Sequence, residues 1–273
     1  MSIKLIATDL DGTVIGKDFK FRPRTLAALE AAERAGITVL FVTGRPARWL
    51  DPLREQTTFD SYAICSNGAV LYHLGADDVE EVNGTNAEVI ARVNSILQPV
   101  YPQATYTLET LDTVYIQGPY EGGDVLEGAR VVETSMDSAL QAIGNAPIIK
   151  FLIRVEGAEP HELQSEIEAL VGEYVSVTRG VVGEPLVEMG DPQVNKGVVL
   201  ARFAARHGIE ASEVMAFGDM PNDTQMLHWA GTGFAMASGN PELIRSVGRT
   251  CPAFEQDGVA QTIEALLSGT LKL

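Results

Sequence analysis

Residues 3–13 read IKLIATDLDGT and place two carboxylates directly after a short apolar run. The run from Ile3 to Ala7 has the length and composition of a strand buried inside a parallel sheet. Ligands of such sheets bind beyond the carboxyl ends of the strands. We therefore expect Asp9 and Asp11 to lie where chemistry is done, with a cation or a shared proton relieving their repulsion. Alternatively, the pair Asp11-Gly12 is only a turn signal.

Strand-like and helix-like patterns alternate over the first 80 residues. Apolar or β-branched runs occupy 3–8, 37–42 and 62–65, and helical spacing of apolar residues occupies 24–34 and 47–56. This alternation predicts an α/β fold with a doubly wound parallel sheet, similar to a Rossmann fold.

The middle of the chain differs from both ends. Short helical stretches there alternate with β-rich ones, and glycine and proline interrupt them. We interpret this region as an inserted α+β cap domain with its own small core. The predicted boundaries are 1–81 for the first part of the core domain, 82–190 for the cap and 191–273 for the second part of the core.

The charge balance excludes several classes of partner. Thirty-seven acidic residues against twenty basic ones give a net charge of −17. Binding to nucleic acid needs a basic face, and an anionic membrane surface repels an acidic protein, so we expect neither partner. No apolar stretch approaches the roughly 20 residues of a membrane-spanning helix, and the first residues do not resemble a signal peptide. Two scattered cysteines fit a reducing compartment, so we expect a cytoplasmic protein.

Three further signals stand at predicted strand ends or helix starts. Thr43-Gly44 follows the second strand, where a hydroxyl and a backbone N–H can hold a phosphate oxygen. Lys196 opens a helix and offers a positive charge, while Asp219 and Asp223 follow the strand near residue 214. Each signal alone has a structural explanation, such as a helix cap or a solvated lysine. Together, on these elements, they predict one site at the edge of the sheet.

These motifs resemble those of the haloacid dehalogenase-like hydrolase superfamily, and within it the Cof-type sugar-phosphatase branch with its large α/β cap. The resemblance covers the core from end to end and is weak in the cap, where only the surroundings of Glu188 look familiar. The matching stretches are 9–13 (DLDGT), 43–45 (TGR), Lys196, 218–223 (GDMPND), 66–69 (SNGA) and 257–260 (DGVA).

The resemblance implies a phosphatase that uses Mg²⁺ and hydrolyses small phosphate monoesters such as sugar phosphates. Asp9 would be the nucleophile that forms an aspartyl-phosphate, and Asp11 would be the general acid and base. The implied metal ligands are Asp9, the backbone carbonyl of Asp11, Asp219 and Asp223, the last either directly or through water. The implied phosphate- or substrate-binding residues are Leu10, Thr43, Gly44, Arg45, Lys196 and Asn222.

Other functions remain open at this point. A phosphomannomutase-like phosphotransferase carries similar motifs, and hydrolases of phosphorylated disaccharides or glycerate conjugates share the architecture. A non-catalytic module that binds a phosphorylated ligand is a third possibility, and a phospho-accepting receiver ranks last. A binding module could dispense with Asp11, so its presence beside Asp9 favours catalysis. We expect a small phosphorylated metabolite as the partner, and a monomer or homodimer.

Overall fold

The computed structural model describes residues 2–119, 128–179 and 183–271. Contacts divide the chain into two units, Met1–Glu81 with Asn195–Leu273, and Val82–Val194. The strands are β1 (Leu5–Thr8), β2 (Thr38–Val42), β3 (Tyr62–Cys65), β4 (Val70–His73), β5 (Asp78–Val82), β6 (Thr105–Glu109), β7 (Thr113–Gln117), β8 (Arg130–Glu133), β9 (Lys150–Arg154), β10 (Ser176–Arg179), β11 (Leu186–Gly190), β12 (Val214–Gly218), β13 (Thr232–Met236) and β14 (Thr250–Cys251). The helices are α1 (Pro23–Arg34), α2 (Asp51–Arg54), α3 (Ala87–Val100), α4 (Met136–Ile143), α5 (Pro160–Val171), α6 (Lys196–Arg206), α7 (Thr224–Trp229), α8 (Pro241–Val247) and α9 (Gly258–Leu267).

The first unit is built on an eight-stranded sheet in the order β14-β13-β12-β1-β2-β3-β4-β5. The six strands from β14 to β3 run parallel, and β4 is antiparallel to β3. Every residue of β1, β12 and β13 is buried, as expected for central strands covered on both faces. The predicted α/β fold with a parallel sheet is confirmed.

The order of the strands creates a switch point at the centre of this sheet. The chain runs outward from β1 through β2 to β3, and later outward in the opposite direction from β12 through β13 to β14. Thr8 pairs in register with Phe217 of β12 on one side and with Phe41 of β2 on the other. The carboxyl ends of β1, β2 and β12 therefore lie level with one another, where doubly wound sheets bind ligands.

The second unit has a six-stranded sheet in the order β10-β11-β9-β6-β7-β8. Its strand pairs are antiparallel except for β7 and β8. One face of the sheet packs against α3, α4 and α5, and Tyr106, Phe151 and Ile153 alternate with residues of the other face. This unit has its own hydrophobic core, as an inserted α+β domain requires.

One predicted helix differs in detail. The spacing over residues 47–56 predicts a single helix, but the structure has a 3₁₀ turn at Ala47–Trp49 followed by the short helix α2. Pro52 lacks an N–H to donate and fits only the first turn of a helix, so the helix restarts there. Among the described residues, no helix is both long and apolar enough to span a lipid bilayer.

Candidate active site

Four charged residues form a cluster at the switch point, which we call the site floor: Asp9, Lys196 and Asp223, which are buried, and Asp219, which is partly buried. Asp9 directly follows β1, Asp219 directly follows β12, and Lys196 opens α6. The Lys196 ammonium donates to Asp9 Oδ1 at 2.6 Å and to Asp223 Oδ1 at 2.6 Å. The Thr13 hydroxyl donates to the other oxygen of Asp9 at 3.2 Å. The floor thus joins residues from both halves of the first unit.

The sequence around Lys196 fixes where its side chain begins. The Asn195 side chain accepts from the backbone N–H of Val198 at 3.0 Å, so α6 starts at the lysine. Gly197 lets this first turn approach α7, because a Cβ atom there would lie 2.7 Å from a backbone atom of Gln225. A larger residue would push Lys196 away from the two carboxylates it bridges.

Asp223 uses both of its oxygens within the protein. Oδ1 accepts from Lys196, and Oδ2 accepts from the backbone N–H groups of Asp219 and Met220, each at 3.0 Å. The residue is fully buried. Asp223 therefore ties the loop after β12 to Lys196 and holds the backbone of Asp219 in place.

Asp219 is the floor residue that has a carboxylate oxygen without a hydrogen-bond partner. Its Oδ1 is buried and has no hydrogen-bond partner. Gly12 allows this approach, since a Cβ there would lie 2.5 Å from Asp219 Oδ2 and its φ of +74° disfavours other residues. A buried carboxylate oxygen without a partner is costly, and a bound cation would satisfy it.

Burial dominates the electrostatics of the floor. It raises the pKa of Asp9 well above its usual range, against the opposing effect of the Lys196 ammonium. Burial and then the neighbouring Asp223 raise the pKa of Asp219 to about 7. Burial alone would lower the pKa of Lys196, but Asp223 and Asp9 outweigh it and raise that pKa above its ordinary value. The floor is therefore short of positive charge.

The floor fits a divalent cation. Asp9, Asp219 and Asp223 each offer a carboxylate oxygen, and these oxygens lie within 4.8 Å of one another. Three negative charges against the one charge of Lys196 leave a balance of −2 when all are ionised. Carboxylate oxygens are the hard ligands that Mg²⁺ prefers. Asp219 is the best placed of the three to bind an ion, because its Oδ1 has no hydrogen-bond partner, whereas both oxygens of Asp9 and of Asp223 accept hydrogen bonds.

A second group, which we call the site rim, consists of Asp11, Arg45, Phe19 and Trp49. The Arg45 guanidinium donates two hydrogen bonds to the Asp11 carboxylate, from Nε to Oδ2 at 2.7 Å and from Nη2 to Oδ1 at 2.6 Å. Its carbon lies 4.3 Å from the ring centre of Phe19 and 5.5 Å from that of Trp49. Arg45, predicted to bind substrate, is thus paired with the predicted general acid.

The remaining predicted residues lie on the loops around the floor. Leu10 and Thr43 are buried, and the Thr43 hydroxyl accepts from the backbone N–H of Arg45 at 3.0 Å. The Asn222 amide donates to Asn67 Oδ1 at 3.0 Å, and this same Asn67 side chain lies close to Gly44. The predicted set of site residues omits Asn67, although the stretch SNGA that contains it is one of those that carry the resemblance.

Comparison with known proteins identifies the family. The profile of the haloacid dehalogenase-like hydrolases matches residues 6–263. The 5-amino-6-(5-phospho-D-ribitylamino)uracil phosphatase YitU of Bacillus subtilis (strain 168) is 24% identical over 265 residues, which are 97% of each chain. The pyridoxal phosphate phosphatase YbhA of Escherichia coli (strain K12) is 27% identical in an alignment that covers 96% of this chain and 98% of that protein.

Solved structures agree on the fold. A haloacid dehalogenase-like hydrolase from Bacteroides thetaiotaomicron has a TM-score of 0.78 at 21% identity, over 97% of this chain and 100% of that one. The subclass IIB sugar phosphatase BT4131 has a TM-score of 0.79 at 19% identity, over 98% of this chain and 100% of that one. The predicted enzyme class, a phosphoric monoester hydrolase, is confirmed by the family and by relatives named as phosphatases. The chain belongs to the haloacid dehalogenase-like hydrolase family.

Proposed function

We propose that this protein is a Mg²⁺-dependent phosphatase that hydrolyses small phosphate monoesters, sugar phosphates among them, through a phosphoryl group carried on Asp9. The observation that supports it most is the site floor, where a buried carboxylate at the switch point is paired with a buried lysine. The relatives named as phosphatases of small phosphorylated compounds support the same substrate class.

In the first half of the reaction, a carboxylate oxygen of Asp9 attacks phosphorus. The new bond joins that oxygen to phosphorus, and the bond from phosphorus to the leaving oxygen breaks. Lys196 favours the ionised, nucleophilic form of Asp9 and fixes its orientation through the hydrogen bond to Oδ1. Asp11 gives its proton to the leaving oxygen, which departs as an alcohol.

In the second half, water releases the phosphate. Asp11, now a carboxylate, takes a proton from the attacking water, whose oxygen bonds to phosphorus as the bond to Asp9 breaks. The sum is ester plus water giving alcohol plus phosphate, with Asp9 and Asp11 restored. Thr43, the backbones of Leu10 and Gly44, Asn222 and Lys196 stabilise the phosphoryl oxygens by hydrogen bonds.

The metal site belongs to the same proposal. Asp9 and Asp219, with the backbone carbonyl of Asp11, would hold Mg²⁺, and Asp223 would orient the loop that carries Asp219. A bound Mg²⁺ would offset the negative charge of the floor and of the phosphoryl oxygens. Location in the cytoplasm and a monomeric or homodimeric state stay predictions from the sequence.

The test is release of inorganic phosphate from p-nitrophenyl phosphate and from a panel of sugar, polyol and pyridoxal phosphates, with Mg²⁺ or with EDTA. We expect release that depends on the metal and differs in rate across the panel. No net release, but turnover that depends on a sugar bisphosphate, would identify a phosphotransferase instead. Binding of phosphorylated compounds without any turnover would identify a binding module.

A further inference from the structure

Arg45 and Asp11 form a bidentate ion pair. Two parallel N–H···O bonds, 2.7 and 2.6 Å long, join the fork of the guanidinium to both oxygens of the carboxylate. Such bidentate pairs fix direction as well as distance. To bind a phosphoryl group with the same two N–H groups, Arg45 would first have to release Asp11.

The guanidinium itself is held by two aromatic rings. Phe19 and Trp49 lie 4.3 and 5.5 Å from its carbon, which suits cation–π contact. Phe19 has a φ of +59°, an uncommon backbone conformation for a residue with a side chain. The Gln56 side chain donates from Nε2 to the carbonyl oxygen of Phe19 at 3.1 Å. Its Oε1 accepts from the backbone N–H of Phe21 at 3.1 Å. A strained residue held in this way indicates that its position matters.

The Asp11 carboxylate requires a partner that fixes its orientation. Its side chain is 47% exposed, and the described contacts of its carboxylate are those with Arg45. An exposed aspartate without a partner samples several rotamers, whereas proton transfer requires the carboxyl within hydrogen-bond reach of the reacting oxygen.

We propose that Arg45 is a positioning residue, which aims the Asp11 carboxyl at the leaving oxygen and does not bind the phosphoryl group. The proposal rests on the proposed function, since it assigns Arg45 a part in the proton transfer of that reaction. Phe19 and Trp49 hold Arg45 in turn, so the loops after β1 and β2 together determine the direction of the general acid.

The leaving group separates this role from phosphate binding. A p-nitrophenolate ion departs without a proton, whereas the alkoxide of a sugar phosphate requires one. The value of kcat/KM reports the steps up to departure of the leaving group. Loss of Arg45 should therefore reduce kcat/KM for a sugar phosphate and largely spare it for p-nitrophenyl phosphate.

The experiment compares wild type with Arg45→Met and Arg45→Lys on glucose 6-phosphate and p-nitrophenyl phosphate at saturating Mg²⁺. For Arg45→Met we expect kcat/KM to fall about 10- to 100-fold on the sugar phosphate and at most about threefold on p-nitrophenyl phosphate, given the usual 10²–10⁴-fold effect of a general acid. Inhibition by inorganic phosphate should be unchanged. Arg45→Lys keeps the charge without the fork and should recover only part of the loss.

Two controls sharpen the result. Arg48→Met removes a neighbouring arginine that also lies near the Trp49 ring, and it should leave both substrates near wild type. In an Asp11→Asn background, Arg45→Met should cause little further loss on glucose 6-phosphate, because both changes remove the same function. Independent, multiplying losses in the double variant would overturn the proposal.

The remaining outcomes are distinct. Equal losses on both substrates together with weaker inhibition by phosphate would show that Arg45 binds the phosphoryl group. No loss of kcat/KM in Arg45→Met on either substrate would show that the contact of Arg45 with Asp11 has no part in turnover. A wild-type protein that hydrolyses neither these two substrates nor the panel would overturn the proposed function itself, which is a different result from an unselective Arg45 variant.

Discussion

The site floor and the site rim place two aspartates of one short motif in opposite surroundings. Asp9 is 8% exposed in its side chain and pairs with a lysine that is 1% exposed, whereas Asp11 is 47% exposed and pairs with an arginine that is 28% exposed. The floor is largely shielded from solvent and has three carboxylates for one ammonium group. The rim is more exposed and has one carboxylate for one guanidinium group. A nucleophile needs a fixed position, and a proton carrier needs access to leaving group and water, so each aspartate has the surroundings its proposed role requires.

The largest expected effect is on turnover, from Asp9→Asn. The amide cannot attack phosphorus, so kcat should fall by about 10⁴-fold or more, as for other enzymes that lose their nucleophile. Phosphate release from p-nitrophenyl phosphate measures it. Asp18→Asn, which neutralises an exposed aspartate after the same strand, is the matched control and should retain activity. An active Asp9→Asn variant would contradict the role given to the floor.

The second expected effect is on stability and separates floor from rim. Asp223→Ala leaves Lys196 with one partner and leaves the N–H groups of Asp219 and Met220 without their acceptor. Breaking a buried pair costs about 3–5 kcal/mol, whereas loss of a partly exposed pair such as that of Arg45 costs about 1 kcal/mol or less. Urea unfolding of Asp223→Ala and Arg45→Met measures both, and similar losses would show that the distinction between floor and rim is wrong.

The third expected effect is a pH dependence that arises in the floor. The pKa of Asp219 is raised to about 7, mainly by burial, against 3.8 for an ordinary aspartate. Between about pH 4 and 7 the folded, metal-free protein thus binds a proton that the unfolded chain lacks, so this group stabilises at low pH and the contribution is lost as pH rises. Stability in EDTA should therefore fall more steeply with pH in wild type than in Asp219→Asn. Parallel curves for the two proteins would contradict the assignment.

The smallest expected effect concerns the loop after β3. Asn67→Ala removes the acceptor of the Asn222 amide and should lower kcat/KM by about fivefold, the equivalent of one hydrogen bond of about 1 kcal/mol. Asn67 has a φ of +57°, so Asn67→Gly should lose the same activity while remaining the more stable of the two variants. Unchanged activity in both variants would place Asn67 outside the site.

The sequence predicts the floor better than the rim. Strand periodicity and the order of elements place Asp9, Thr43 and Asp219 at adjacent strand ends, because parallel strands end at the same edge of a sheet. The pair of Arg45 with Asp11 depends instead on loop backbone, such as the left-handed Phe19, and no periodicity reports that. The same holds for Asn67, whose partner Asn222 is 155 residues away.

Mass analysis of acid-quenched protein after mixing with p-nitrophenyl phosphate and Mg²⁺ detects directly whether Asp9 carries the phosphoryl group. It uses the Asp11→Asn variant, because loss of the base slows the attack of water more than the departure of p-nitrophenolate. We expect the added mass of one phosphoryl group on the peptide that contains Asp9, and no such mass in Asp9→Asn. Release of p-nitrophenolate with no phosphoryl group on that peptide, or with one on another residue, would contradict it.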